Sequence, residues 1–154
     1  TPSPSNTKPK NSGRPKCLKM YLVDTNIFLE VLLGRGKKEE CKHLLRALRD
    51  GKKSAIVTDF SIHSIIVIME ELGRLDVLKT FLLSLLAYKG LHIYNTTITD
   101  EVKATEIAKQ QKLSMDDAIQ YASALTTNAE AIISLDKHFD GLKIPRIEPS
   151  LTIP

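Results

Sequence analysis

The chain has 154 residues, 42% of them hydrophobic and 26% charged, with a formal net charge of +4. That is length enough for one domain with a core, and an ordinary globular balance that excludes wholesale disorder. No apolar run approaches the ~20 residues of a bilayer span, and no apolar leader segment stands near the N-terminus, so a cytoplasmic protein without membrane association is expected.

Residues 1–19 carry Lys8, Lys10, Arg14, Lys16 and Lys19 and no acid, among Pro, Ser, Asn and Gly. They read as a flexible basic tail. The tail's five cations leave the remaining chain at −1. The folded part is therefore not a generally basic nucleic-acid binder, and RNA contacts would come from local patches, the tail or metal ions. Cys17 lies in the tail and Cys41 on an expected helix. Neither has a partner at metal-ligand spacing, which fits a reducing compartment.

Residues 20–154 read as a single domain. Met20, which can be read as an initiator or as an internal residue, opens a first strand over 20–23. A helix follows over about 26–33 and stops at Gly34. The next, about 37–49, sets Cys41, Leu44, Leu45 and Leu48 on one face. Ser54–Thr58 is the second strand. Asp59 suits the N-cap of a helix running to Leu72, with Gly73 as its stop. An apolar helix over Leu75–Tyr88 leads to Gly90 and a third strand, Leu91–Tyr94. Helices over 100–112 and 115–127 follow, the second capped by Ser114. Ala131–Leu135 is the fourth strand, and a short fifth falls near Lys143–Ile147. Strands alternating with helices predict a three-layer α/β/α domain with a mostly parallel central sheet of four or five strands.

Ligands and catalytic groups of such sheets gather beyond the carboxyl ends of the strands. Two strands lead into aspartates there, Asp24 and Asp136. Asp116 and Asp117 open the helix before the fourth strand, and Asp59 follows the second. Clustered carboxylates repel unless something compensates. A hard divalent cation, Mg²⁺ or Mn²⁺, is the natural partner, and it can activate water and stabilise charge on a phosphodiester. Each acid also has a plainer reading. Asp24 could cap the first helix, though Thr25 and Asn26 could do so equally. Asp117 could close a capping box with Ser114. Asp116 suits the helix dipole. Asp59 reads as a cap, and Asp136 and Asp140 could be turn residues.

The segment Leu22-Val23-Asp24-Thr25-Asn26-Ile27-Phe28-Leu29 resembles the opening motif of PIN domains, particularly of VapC-type toxins. Leu113-Ser114-Met115-Asp116-Asp117-Ala118-Ile119-Gln120-Tyr121 resembles their third motif. Ile132-Ile133-Ser134-Leu135-Asp136-Lys137-His138-Phe139 resembles the fourth. The resemblance covers residues 20–149 and implies a Mg²⁺- or Mn²⁺-dependent, single-strand-specific endoribonuclease. Position by position, Asp24, Asp117 and Asp136 correspond to the family's metal-binding catalytic acids, and Asn26 and Ser134 to supporting polar positions. Asp116 has no common counterpart but is close enough to be an extra ligand. The resemblance also implies a homodimer, and an antitoxin partner that blocks the acidic site.

The family's usual glutamate on the helix after the second strand is replaced by Ser64. Glu70 would point ~120° away on an ideal helix, and Glu71 lies ~10 Å further along. His63, Asp59, Glu30 and Asp116 remain as compensators. The replacement weakens a second metal site more than the first, and leaves a binding module with weak or lost nuclease activity as the alternative. A receiver-like phosphate-handling domain is a third class, disfavoured because Asp24 has no acidic neighbour. Ile65–Met69 and Leu82–Leu86 are apolar on all sides, which predicts a dimer interface unless both are ordinary core. Arg35, Lys37, Lys38, Lys137 and His138 are candidate phosphate contacts or simply solvated cations.

Overall fold

The computed structural model describes residues 19–151, so the reading of residues 1–18 as a tail, Cys17 included, lies outside them. The strands are β1 (Met20–Val23), β2 (Ser54–Thr58), β3 (Leu91–Tyr94), β4 (Ala131–Ile133) and β5 (Arg146–Ile147). They form one sheet in the order β3-β2-β1-β4-β5, and every pairing is parallel. The connecting helices are α1 (Thr25–Leu32), α2 (Lys38–Arg49), α3 (Asp59–Glu71), α4 (Leu75–Leu85), α5 (Ile98–Gln111) and α6 (Met115–Thr126).

The three-layer arrangement follows from the period-2 alternation of strand side chains. Val23, Ala55, Val57, Leu91 and Ile133 face one core with the apolar sides of α1 to α4. Leu22, Ile56 and Ile132 face the other, with Tyr121 and Ala124 of α6 and with Phe139. The second helix layer closes by small residues, Ala104 of α5 against Ala118 and Ala122 of α6. Full burial of a Leu, Ile or Phe contributes ~1.5–3 kcal/mol, so the two cores supply most of the driving force.

Local chemistry moves several expected boundaries. The α3 N-cap is Thr58 rather than Asp59: its hydroxyl accepts from the Ser61 backbone N–H at 3.0 Å. Thr58 ends a strand in extended conformation, which suits a cap, and this frees the Asp59 carboxylate. That group instead accepts from the Thr96 N–H and hydroxyl at 3.0 and 2.9 Å, and from Phe60 N–H. Although burial opposes it, these bonds hold the Asp59 carboxyl below its ordinary range. Helix α5 starts two residues earlier than expected because Thr97 and Asp100 form a capping box. Helix α4 stops at Leu85, and Leu86 and Ala87 continue as turn with i→i+3 bonds. Strand β4 ends at Ile133, because Asp136 nucleates a single 3-10 turn over Lys137–Phe139. Gly90 is required where β3 begins: a Cβ there would overlap the Lys53 carbonyl oxygen. Gly73 ends α3 with φ +67°, which a Cβ would strain.

Asp100 is a buried polar anchor of the α5 layer. It accepts from the Tyr94 hydroxyl at 2.6 Å, the Thr97 N–H at 3.0 Å and the Thr126 hydroxyl at 3.0 Å. Burial raises its carboxyl, but these donors outweigh that and set it below the ordinary value. Its contribution is therefore present above the unfolded value of 3.8 and lost as pH falls through the lower folded value. Asp100→Asn should cost about 1–2 kcal/mol at neutral pH. Urea unfolding should show the difference from wild type shrinking below about pH 4, where the wild-type carboxyl protonates too.

The two apolar helices are neither wholly core nor wholly exposed. Ile65 and Met69 of α3 and Leu78 and Phe81 of α4 are buried, whereas Val67, Leu75, Leu83 and Leu86 face outward, Leu86 with 86% of its surface exposed. Among the described residues no helix is long and apolar enough to cross a membrane.

Candidate metal centre

Winding proceeds from β1 to β2 and β3 on one side and resumes at β4 and β5 on the other, so the connections diverge between β1 and β4 and open a crevice at their carboxyl ends. Asp24 stands at that point. Its backbone N–H donates to the Ile133 carbonyl at 3.0 Å, extending the β1–β4 ladder by one residue. It occupies the N-cap position of α1, yet its side chain does not cap the helix. The carboxylate is 3% exposed. Burial pushes the Asp24 carboxyl up to about 6, and the Asp117 charge pushes the same way. The Ser134 hydroxyl and Gln120 amide pull it back.

Ser134 is wholly buried and serves two acids at once. Its hydroxyl donates to Asp24 Oδ2 at 2.6 Å and accepts from the Asp136 N–H at 2.9 Å. Asn26 lies on the same side, its Oδ1 at 3.5 Å from the Leu135 N–H. Asp117 sits in the first turn of α6, nearly buried, where Ser114 accepts from its backbone N–H at 3.2 Å. Burial, then the charges of Asp136 and Asp116, raise the Asp117 carboxyl above its ordinary range. Asp116 is exposed and accepts from Gln120 Nε2 at 3.1 Å. Asp140 stands apart, its carboxylate 2.7 Å from Arg146 Nε.

Two residues join the acids whose part there was not predicted. His138, expected as a phosphate contact, turns its Nδ1 to Asp136 Oδ1 at 3.1 Å and Asp117 Oδ2 at 3.5 Å. Gln120 is 1% exposed, lies between Asp24 and Asp116, and leaves its Oε1 with no hydrogen-bond partner. Its spacing of three and four residues from Asp117 and Asp116 on one helix was the available signal.

Of the four candidates to replace the α3 glutamate, Asp116 stands at the rim of the centre, and Glu30, Asp59 and His63 are placed elsewhere. Glu30 accepts from the Lys37 N–H at 2.9 Å, closing the turn from α1 to α2. Asp59 is held by Thr96, and His63 is exposed beside it. Ser64 is half-buried, and Glu70 and Glu71 are exposed at the far end of α3. Among the described residues, the groups placed to share one cation are Asp117, Asp136 and His138, whose donor atoms lie within 4.8 Å of one another. The donor set, the neighbouring Asp24 and the orphaned Gln120 oxygen all fit a divalent cation.

Fold and site together define an α/β domain with a carboxylate centre at the crevice of a parallel sheet. The chain belongs to the PIN domain family, whose profile matches residues 21–144. No match was found among curated proteins. The fold is similar to that of VapC20 of Mycobacterium tuberculosis, a Sarcin-Ricin loop cleaving toxin: 13% identity, TM-score 0.68, over 84% of this chain and 99% of that one. It is also similar to a chain of a toxin-antitoxin complex from Klebsiella pneumoniae, with 20% identity, TM-score 0.63, and 84% and 98% of the two chains covered. A third relative is from VapBC2 of Rickettsia felis bound to a DNA fragment from its promoter, with 14% identity, TM-score 0.62, and 84% and 98% covered.

Proposed function

We propose that the chain is a Mg²⁺- or Mn²⁺-dependent endoribonuclease acting on single-stranded RNA, the toxin of a toxin-antitoxin pair, working in the cytoplasm. The observation that carries this reading is the Asp24 carboxylate, buried beside Asp117 against its own preference for ionisation. Asp24, Asp117 and Asp136 hold the ion, with Asp116 as an additional acid at the rim. Bound there, the ion supplies positive charge against phosphodiester oxygens and acidity toward water. Ser134 and Gln120 fix the Asp24 carboxylate, and the surrounding core excludes water from its inner side. Lys37 and Lys137 both bear on the Glu148 carboxyl, which Arg146 holds low. That places two cations near the same end of the sheet, where they can position RNA phosphates without reading sequence.

Cleavage of an unstructured RNA with Mg²⁺ or Mn²⁺ tests this. Wild type should cut, chelation should stop it, and Asp24→Asn should lower the rate at least ~100-fold, as for loss of a group that holds transition-state charge. Equal cleavage by both proteins sinks the assignment.

Two observations support partners. A cavity of ≈ 330 Å³ between α1, α2 and α4, floored by Phe28, Leu45 and Phe81, adjoins one of ≈ 230 Å³ edged by Lys42, Arg46 and Arg49. An antitoxin segment carrying apolar and acidic side chains fits that combination. The outward Val67, Leu75, Leu83 and Leu86 suit a homodimer through α3 and α4. A second functional reading, a PIN-fold binding module without turnover, is favoured by Ser64 and the absence of an α3 acid from the cluster. Calorimetric titration with Mn²⁺ separates them: no binding at millimolar metal supports the module.

A further inference from the structure

We propose that His138 is itself a ligand of the metal, so that the centre has a nitrogen donor and favours Mn²⁺ over Mg²⁺. The inference rests on reading the acids as a divalent-metal site, and adds to it a donor and a selectivity.

The geometry comes first. Two donors bound to one ion at about 2.1 Å stand about 3.0 Å apart at right angles and about 3.4 Å apart at a tetrahedral angle. Nδ1 of His138 lies 3.1 Å from Asp136 Oδ1 and 3.5 Å from Asp117 Oδ2. One small cation can therefore touch all three groups with little rearrangement.

The imidazole is also placed rather than trailing. Asp136 caps the turn through the His138 N–H at 2.9 Å, and the next residue, Phe139, is wholly buried. The backbone of His138 is thus fixed between a capping bond and a core anchor. Its side chain stays 74% exposed, so nothing packed on the ring opposes a small rotation toward an ion.

The donor chemistry sets the selectivity. Mg²⁺ parts reluctantly with water and keeps to oxygen ligands. Mn²⁺ shares that preference for oxygen but, as the first member of the transition-metal affinity order, accepts an imidazole nitrogen more readily. With no carboxylate of α3 in the cluster, nitrogen makes up the donor number.

The test is pulsed electron paramagnetic resonance of the full chain loaded with Mn²⁺ near neutral pH. The expected spectrum carries ¹⁴N modulation from a bound imidazole. It should change on ¹⁵N-histidine labelling and vanish in His138→Gln. Calorimetry should show His138→Gln binding Mn²⁺ about 10-fold more weakly, with Mg²⁺ affinity changed less than about 3-fold. Mn²⁺ bound without nitrogen modulation, or a Mn²⁺/Mg²⁺ preference unchanged in His138→Gln, overturns the inference and leaves the metal reading standing. A wild-type chain that binds neither ion overturns both.

Discussion

Asp24→Asn is expected to make the metal-free chain more stable at neutral pH, by up to roughly 3 kcal/mol, while lowering the proposed RNA cleavage. The unfolded carboxyl titrates near 3.8 and the folded one near 6. Between those values the folded state holds the proton more tightly, so stability falls as pH rises through the window. Above it, the fold carries an ionised group that burial disfavours. Asn removes the charge and can still accept the Ser134 hydroxyl bond. For a domain of this size the change is up to about 6–12 °C in Tm. The measurement is thermal unfolding with a chelator across pH. The two proteins should converge in acid and separate toward neutrality, and added Mn²⁺ should raise only the wild type. A variant no more stable than wild type at neutral pH would show that Asp24 is not held against its preference.

Ser134→Ala acts on the same acid in the opposite sense. It removes the hydroxyl that favours the Asp24 carboxylate and strips the Asp136 N–H of its acceptor. Each buried group left unpaired costs about 1–3 kcal/mol, so about 2–6 kcal/mol should be lost overall. The Asp24 carboxyl should then titrate higher still, and Mn²⁺ binding should require higher pH than in wild type. Ser134→Thr keeps a hydroxyl and should recover much of both effects. A pH profile of binding that does not move in Ser134→Ala would remove Ser134 from the support of Asp24.

Much of the fold could be read from periodicity because the strands are short, apolar and bounded by strong punctuation. Ser54–Thr58 and Leu91–Tyr94 fall where the pattern places them, and Ser114 caps α6 as its position predicts. The two misplaced helix starts share one cause, side-chain competition for the cap. Thr58 outcompeted Asp59, and Thr97 with Asp100 began α5 early. Neither contest is decided by residue type alone. In the site, acids at strand ends were visible because topology fixes where strand ends go. His138 was named only as a phosphate contact and Gln120 was given no role, because their places among the acids depend on the direction of a turn and of a helix face. The dimer expectation had the opposite weakness: an all-apolar helix signals cover but not its source, and here the domain supplies only part of it.

The bond between Ser134 and Asp24 spans 110 residues, and this bears on when the carboxylate centre is completed during synthesis. Contacts of such sequence separation form late, since loop closure must precede them. At about 5–20 residues per second, synthesis takes several seconds or more to pass from the first aspartate to the segment that completes its surroundings. A nascent chain therefore carries Asp24 without its neighbours, and the carboxylate centre can assemble only when β4 has docked beside β1. Translation thus imposes a delay of its own before the centre exists.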